Sequence, residues 1–192
     1  MTSDQNSPIL NVKGSKVGLG PYTYEHHKMT LVSLQDTAVA VLSGNTFDVI
    51  NPDIDPSEFK GMPKNAALFA VFALENLDLI GNCGLRDIDF RQGTATFGIS
   101  IFHKDYWGKG YGTEATRLTL DYGFRFLNLH NIYLRVTGFN ERAQKAYLKA
   151  GFKEIGRRRE AVRLGERRFD VIFMDCLRTE FEAPVPGWTL PF

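Results

Sequence analysis

Cysteine is nearly missing from this chain: its 192 residues hold two, Cys83 and Cys176, far apart and without metal-ligand spacing. That excludes a disulfide-stapled scaffold and a cysteine-rich metal site, and both are read as buried thiols. Long hydrophobic runs are missing too, none approaching the ~20 residues of a membrane span. The opening "MTSDQNSPIL" has neither the basic start nor the apolar centre of a secretory signal, so the expected setting is cytoplasmic, with no membrane partner. Nor is there an excess of one charge: 23 Lys and Arg face 22 Asp and Glu, a formal net charge of +1. Without a concentrated basic surface there is no reason to expect nucleic acid. The locally basic "GRRREAVRLGERR" is interrupted by Glu160 and Glu166 and reads as solvated strand faces.

What is present is a globular mixture, 43% hydrophobic and 23% charged, without repeats or low-complexity segments. One domain is expected over 15–182, preceded by an extension over 1–14 and followed by a tail over 183–192. Pro184, Pro186 and Pro191 interrupt pairing in that tail. Its Trp188, Leu190 and Phe192 pack on the chain's own domain or on a second subunit, which leaves a homodimer open. A short strand is read from Ser15 to Gly20, and one or two helices between Tyr24 and Leu42. The stretch "DVINPDIDPSEF", with Asp48, Asp53, Asp55 and Glu58, is a surface loop, either merely soluble or an acidic lip for a cationic acceptor.

Three strands follow, Ala67–Leu74, Leu79–Phe90 and Thr94–Phe102, the last with Ala95, Phe97, Ile99 and Ile101 on one face. The period then changes to helical: Ala115, Leu118, Tyr122 and Phe126 share one stripe, Glu114, Arg117, Asp121 and Arg125 another. "NIYLRVT" is a strand, and "NERAQKAYLKAGF" a second helix with Asn140 as N-cap and Gly151 as its stop. Two strands, Phe152–Arg163 and Glu166–Leu177, close the chain. This order predicts an α+β fold, mainly antiparallel, with one crossover.

Between the third strand and the strong helix lies "YWGKGYGTEA", with Gly108, Gly110 and Gly112 at every second position. Each glycine costs conformational entropy, so the cluster needs a reason in backbone geometry or close ligand approach. The spacing is not G-x-G-x-x-G, and Lys109 is followed by Gly110 rather than Ser or Thr, so neither the dinucleotide fingerprint nor the ATPase phosphate loop is present. A plain strand-to-helix loop remains one reading. The other is a cradle of amides at a helix N-terminus, facing an anion.

With those residues in view, the chain resembles the GCN5-related N-acetyltransferases, and within them the ribosomal-protein alanine acetyltransferase-like branch. The resemblance runs from about Gly81 to Leu177 and is strongest in "WGKGYGTEA" and "NERAQKAYLKAGF". It implies a mixed, mostly antiparallel sheet of six to seven strands with helices on both faces. It implies acetyl-coenzyme A as co-substrate, no metal, and an amine-bearing peptide, protein or small molecule as acceptor. By resemblance the pyrophosphate lies on the backbone of Trp107, Gly108, Lys109, Gly110, Tyr111, Gly112 and Thr113. Asn140 contacts the pantetheine arm, and Tyr147 protonates the departing thiolate. Amides around Ile101 and Phe102, where the strand splays from its neighbour, would face the thioester. Read from the residues alone, Asn140 is equally a helix cap and Tyr147 a core aromatic.

Two departures stand out. Relatives often begin the glycine loop with Arg or Gln, and here Trp107 takes that place. Relatives often carry a Glu in "AEIGY", where this chain has "ATFGI" and so Thr96. Without that carboxylate, an α-amine of pKa about 7.7 to 8.0, roughly 10% neutral at pH 7, is a better acceptor than a lysine near 10.4. His26, His27, Ser100 and His103 are the remaining base candidates, and an acyl-cysteine route through Cys83 is disfavoured because "GNCG" has no neighbouring His. The leading expectation is transfer to the N-terminal α-amine of a protein or peptide. The alternatives are a small-molecule amine (antibiotic, amino sugar or polyamine) and a noncatalytic acyl-coenzyme A-binding module.

Overall fold

The computed structural model describes residues 7–44, 51–53, 55, 56, 59, 61 and 63–183. Asp48, Glu58 and the tail aromatics Trp188 and Phe192 lie outside them, so the acidic lip is represented only by Asp53 and Asp55, and the packing of the tail is not described. Among the described residues eight strands form one sheet: β1 (Val12–Lys13), β2 (Val17–Pro21), β3 (Ala67–Ala73), β4 (Leu79–Asp89), β5 (Thr94–Ile101), β6 (Asn131–Thr137), β7 (Lys153–Leu164) and β8 (Arg167–Leu177). Their spatial order is β1-β2-β3-β4-β5-β6-β8-β7. The expected six to seven strands become eight because Val12 and Lys13, placed above in an N-terminal extension, pair with Leu19 and Gly18. All neighbours run antiparallel except β5 and β6.

That parallel pair requires the crossover that α3 (Tyr111–Arg125) supplies. Side chains alternate across a strand, which gives the sheet two distinct faces. Ala95, Phe97, Ile99 and Ile101 of β5 pack with Cys83 and Leu85 of β4 in the core beneath α3. Gly98 and Ser100 turn to the opposite face, where α1 (Tyr24–Ser33) and α2 (Thr37–Leu42) lie. Asn82 Nδ2 there donates to Thr30 Oγ1 at 3.0 Å, and Ser100 Oγ lies 3.1 Å from Ser43 Oγ just past α2.

The mixed period between Tyr24 and Leu42 reflects α1 itself, which has no buried residue. It is held by its ends instead: Thr23 caps His26 N, and His26 reaches back to the Thr23 backbone. Asp36 starts α2 by accepting from Ala38 N and Val39 N. On the far edge, β7 is largely solvent-facing, as its Arg-rich sequence suggested, and its register shifts between Arg158 and Val162.

The polar stripe of α3 turns inward at both ends. Asp121 is 2% exposed and ion-paired with Arg125. Glu114, in the first turn, accepts from Ser15 N (2.9 Å), Ser15 Oγ (2.5 Å), Lys16 N (2.7 Å) and Val17 N (2.8 Å). One carboxylate thus fastens the β1–β2 turn to the start of α3, where an acid also complements the helix dipole. Burial pushes the Glu114 carboxyl up, but the bonds from the Ser15 side chain and the three backbone amides outweigh it and hold it below its usual range.

Replacing Glu114 with Gln should therefore lower stability by about 1–2 kcal/mol at neutral pH. Because the carboxyl is depressed in the fold, this contribution is complete above an unfolded value near ~4.3 and disappears as pH falls through the lower folded value. Thermal denaturation across pH checks it: the gap between wild type and Glu114→Gln should close in acid, and a gap independent of pH would contradict the clamp.

Candidate active site

The parting of β5 from β6 builds the site. Thr94, Ala95 and Thr96 pair with Asn131, Ile132 and Tyr133, and there the ladder ends. Strand β6 continues on β8 to Thr137↔Val171, while β5 stays on β4 to Ile101↔Gly81. Phe102 N donates to Ile80 O at 3.0 Å. Ladder bonds alternate along an antiparallel pair, so Ser100 and Gly98 also turn their amides to β4, and Ile99 and Ile101 turn theirs into the gap. Of the two amides expected near the thioester, that of Phe102 is already bonded, and that of Ile101 faces the opening. Just past the last paired residue, Phe97 meets the Tyr147 ring edge-on at 6.1 Å.

The three glycines sit at the mouth of this gap. Gly108 has φ 73° and Gly110 φ 92°, the left-handed region that other residues enter only under strain. Gly110 is also the N-cap of α3 and, having no side chain, caps nothing. A side chain built on Gly108 would meet nothing within 4 Å, so the space above the loop is open. Gly112, in the first turn, would bring a Cβ to 3.6 Å from Ile101 Cγ1, so the helix approaches β5 closely. The loop thus offers uncapped amides and a positive helix end to an anion. Lys109 is exposed, and its carbonyl accepts from Lys16 Nζ at 3.0 Å. The Tyr111 side chain is buried against Tyr106 and donates to Glu75 Oε1, so only its backbone is at the loop surface.

A cleft of about 1190 Å³ joins the loop to the gap, lined among others by Gly108, Gly110, Thr113, Ile101, Asn140 and Tyr147. Trp107 spans its rim: the indole Nε1 donates to Ile101 O at 2.6 Å, and the Arg142 guanidinium lies 3.5 Å over its ring centroid. Two cations from elsewhere line the cleft beside the uncharged Trp107, Arg142 on α4 (Glu141–Ala150) and Lys16 on the β1–β2 turn. Sequence reasoning missed both. Arg142 stands two residues after Asn140 and was within reach of inspection; Lys16 is brought in from 93 residues away and left no local signal.

Asn140 Oδ1 accepts from Ala143 N at 3.1 Å, capping α4, while Nδ2 donates to Leu42 O at 3.0 Å. The side chain therefore ties the end of α2 to the start of α4 across the cleft. Tyr147 is 9% exposed, and among the described residues its hydroxyl has no hydrogen-bond partner. Burial pushes this phenol up to about 12, so it keeps its proton at any working pH.

The base candidates are scattered. Ser100 lines the cleft. His103 is exposed and packs on Tyr106. His26 is engaged in the α1 cap and His27 lies 3.3 Å from Tyr22 Oη; burial lowers both, with Arg86 lowering His27 further. Cys83 is buried, 3.1 Å from Thr119 Oγ1, and burial pushes its thiol up to about 12, which removes it as a nucleophile. No group of three or more metal-ligating side chains occurs among the described residues.

The split sheet thus has an open amide cradle at one end of its cleft and a buried, protonated phenol at the other. Comparison with known proteins places it: the acetyltransferase (GNAT) domain family matches residues 19–153, and the chain belongs to that family. A spermidine N(1)-acetyltransferase of Vibrio cholerae is 36% identical over 104 residues, 54% of this chain and 60% of that protein. An uncharacterized N-acetyltransferase, p20, of Bacillus licheniformis is 32% identical over 113 residues, 59% and 63% of the two chains. These alignments span about 60% of the relatives' length. The crystal structure of spermidine N-acetyltransferase from Vibrio cholerae with CoA and spermine superposes with a TM-score of 0.75 at 25% identity, covering 87% of this chain and 98% of that one. The chain thus carries an acetyltransferase domain of a family whose acyl donor is acetyl-coenzyme A. The open cradle, free of a side-chain cap, fits the donor's pyrophosphate.

Gly110→Ala should weaken acetyl-coenzyme A binding at least tenfold and cost about 1 kcal/mol of stability, because Ala at φ 92° is strained. Titration calorimetry with a parallel melt checks this. Unchanged affinity would show that the cradle does not hold the donor.

Proposed function

We propose that the protein transfers the acetyl group of acetyl-coenzyme A directly to a primary amine, and that this amine is the N-terminal α-amine of a protein or peptide. The observation that carries the reading is Thr96: the strand position where relatives often place a carboxylate holds no base. An acceptor already partly neutral at pH 7 suits such a site, and an α-amine is one. The motif likeness to the ribosomal-protein alanine acetyltransferase-like branch supports the same class.

In this mechanism the amine forms the new C–N bond as the C–S bond breaks, and negative charge develops first on the acyl oxygen and then on sulfur. The Ile101 N–H, with Ile99 beside it, meets the first charge. Trp107 holds the Ile101 carbonyl and so fixes the orientation of that part of the strand. The uncapped amides of Gly108 to Thr113 hold the pyrophosphate, with Lys16 and Arg142 adding positive charge at the rim. Asn140 lies where the pantetheine arm enters; to bind it, Nδ2 exchanges Leu42 O for the arm.

Tyr147 faces the sulfur. A thiol titrates near ~8.5, below this phenol, so Tyr147 first donates a hydrogen bond to the thiolate, and the net proton comes from the amine by way of water. Tyr147→Phe keeps the packing on Phe97 and removes the donor; kcat should fall about 10- to 100-fold with little change in the KM for acetyl-coenzyme A. A noncatalytic binding module would show donor binding without thiol release.

A second reading, acetylation of a polyamine, is supported by the spermidine acetyltransferases among the similar proteins and by the acids at Asp53 and Asp55. Thiol release measured with free-N-terminus peptides and with small amines, on wild type and Tyr147→Phe, decides between them. Peptide-stimulated release slowed by the variant supports the α-amine reading. Release with polyamines alone overturns it.

A further inference from the structure

Among the described residues, the face of β4 and β5 towards α1 carries an exposed arginine, Arg86. Arg86 on β4 is the register partner of Thr96 on β5, so it stands beside the position where a base would otherwise be. Its guanidinium lies across β5: Nη1 is 4.0 Å from where a Cβ on Gly98 would sit. The absence of a side chain at Gly98 leaves that surface free. Two residues further on is Ser100 at the cleft, roughly 7 Å away at strand rise. From the helix side, Tyr22 and His27 lie within reach of the same charge: burial raises the Tyr22 phenol against the pull of Arg86, and burial lowers His27 with Arg86 adding to it. Tyr22, Thr30 and Asn82 are already joined to one another by hydrogen bonds. Among the described residues Arg86 is exposed and makes no ion pair.

We infer that Arg86 receives a carboxylate of the acceptor, so that the amine acetylated belongs to a carboxylate-bearing molecule and not to a polyamine. A planar guanidinium matches a carboxylate in a bidentate pair, whereas a polycation placed against it meets a like charge: of the acids on β4 and α1, Asp89 accepts from Arg91 N and Gln92 N, and among the described residues neither it, Asp87 nor Glu25 ion-pairs with Arg86. The run of roughly 7 Å along β5 from Gly98, where the guanidinium lies, to Ser100 at the cleft suits an acid one or two residues beyond an N-terminal α-amine better than the carboxylate of a free α-amino acid, whose amine and acid are adjacent. The inference rests on the N-acetyltransferase reading and names the acceptor class within it.

The test compares kcat/KM at saturating acetyl-coenzyme A for four acceptors: a tripeptide with Asp or Glu at its second or third position and a blocked C-terminus, its Asn or Gln counterpart, a free amino acid, and spermidine. Wild type should favour the acidic peptide over its amide counterpart about tenfold, a ratio that Arg86→Gln brings near one and Arg86→Glu inverts, with the KM for acetyl-coenzyme A unchanged throughout. A free amino acid ahead of the peptides keeps the carboxylate and changes its source. Spermidine ahead of the acidic peptide, or a wild-type ratio near one, overturns the inference while leaving the transferase reading intact. No thiol release with any acceptor overturns both. The wild-type ratio alone is decisive if the variants fail to fold.

Discussion

Three residues of pairing hold the two halves of this sheet together. Thr94 to Thr96 run beside Asn131 to Tyr133, and beyond them β5 and β6 go separate ways. Everything chemical follows from that short ladder. It turns the amides of Ile99 and Ile101 into an opening instead of onto a neighbouring strand. It makes room for Tyr147 against Phe97, and it points the N-terminus of α3 at the same opening. A longer ladder would satisfy those amides and close the cleft; a shorter one would leave β6 without its link to the meander.

Around that gap the chain uses long-range ties to hold short-range geometry. Glu114 fastens the β1–β2 turn to the first turn of α3, and in doing so carries Lys16 to the glycine loop. Trp107 links Ile101 on one side of the gap to Arg142 on the other. Asn140 links α2 to α4. Each tie satisfies polar groups that would otherwise be exposed to desolvation in a half-buried cleft, and together they set the positive charge on the donor side without any charged residue at the start of the loop.

How much of this was legible depends on how local the cause is. The glycine loop, the α3 and α4 periodicities, the Asn140 cap and the Gly151 stop were readable because each is set by neighbours within one turn. The two-residue β1 was not, since Val12 and Lys13 become a strand only by pairing with β2. Which of the Ile101 and Phe102 amides turns away from β4 was invisible because strand periodicity gives the face of a side chain, not which amides a partner strand takes; it needed the bond from Phe102 to Ile80. Lys16 and Glu114 as a clamp depend on contacts between distant segments, for which composition and spacing carry no signal, and Arg86 beside Thr96 depends on a hairpin register that shifts between Arg86 and Asp89.

The most direct measurement is an amide NMR titration of the protein with acetyl-coenzyme A and, separately, with coenzyme A. Both ligands should shift Gly108, Gly110, Gly112 and Thr113, while the acetylated ligand alone shifts Ile99 and Ile101 strongly and leaves Phe102 nearly still. Shifts confined to surfaces away from the β5–β6 gap, or a larger response at Phe102 than at Ile101, would contradict this.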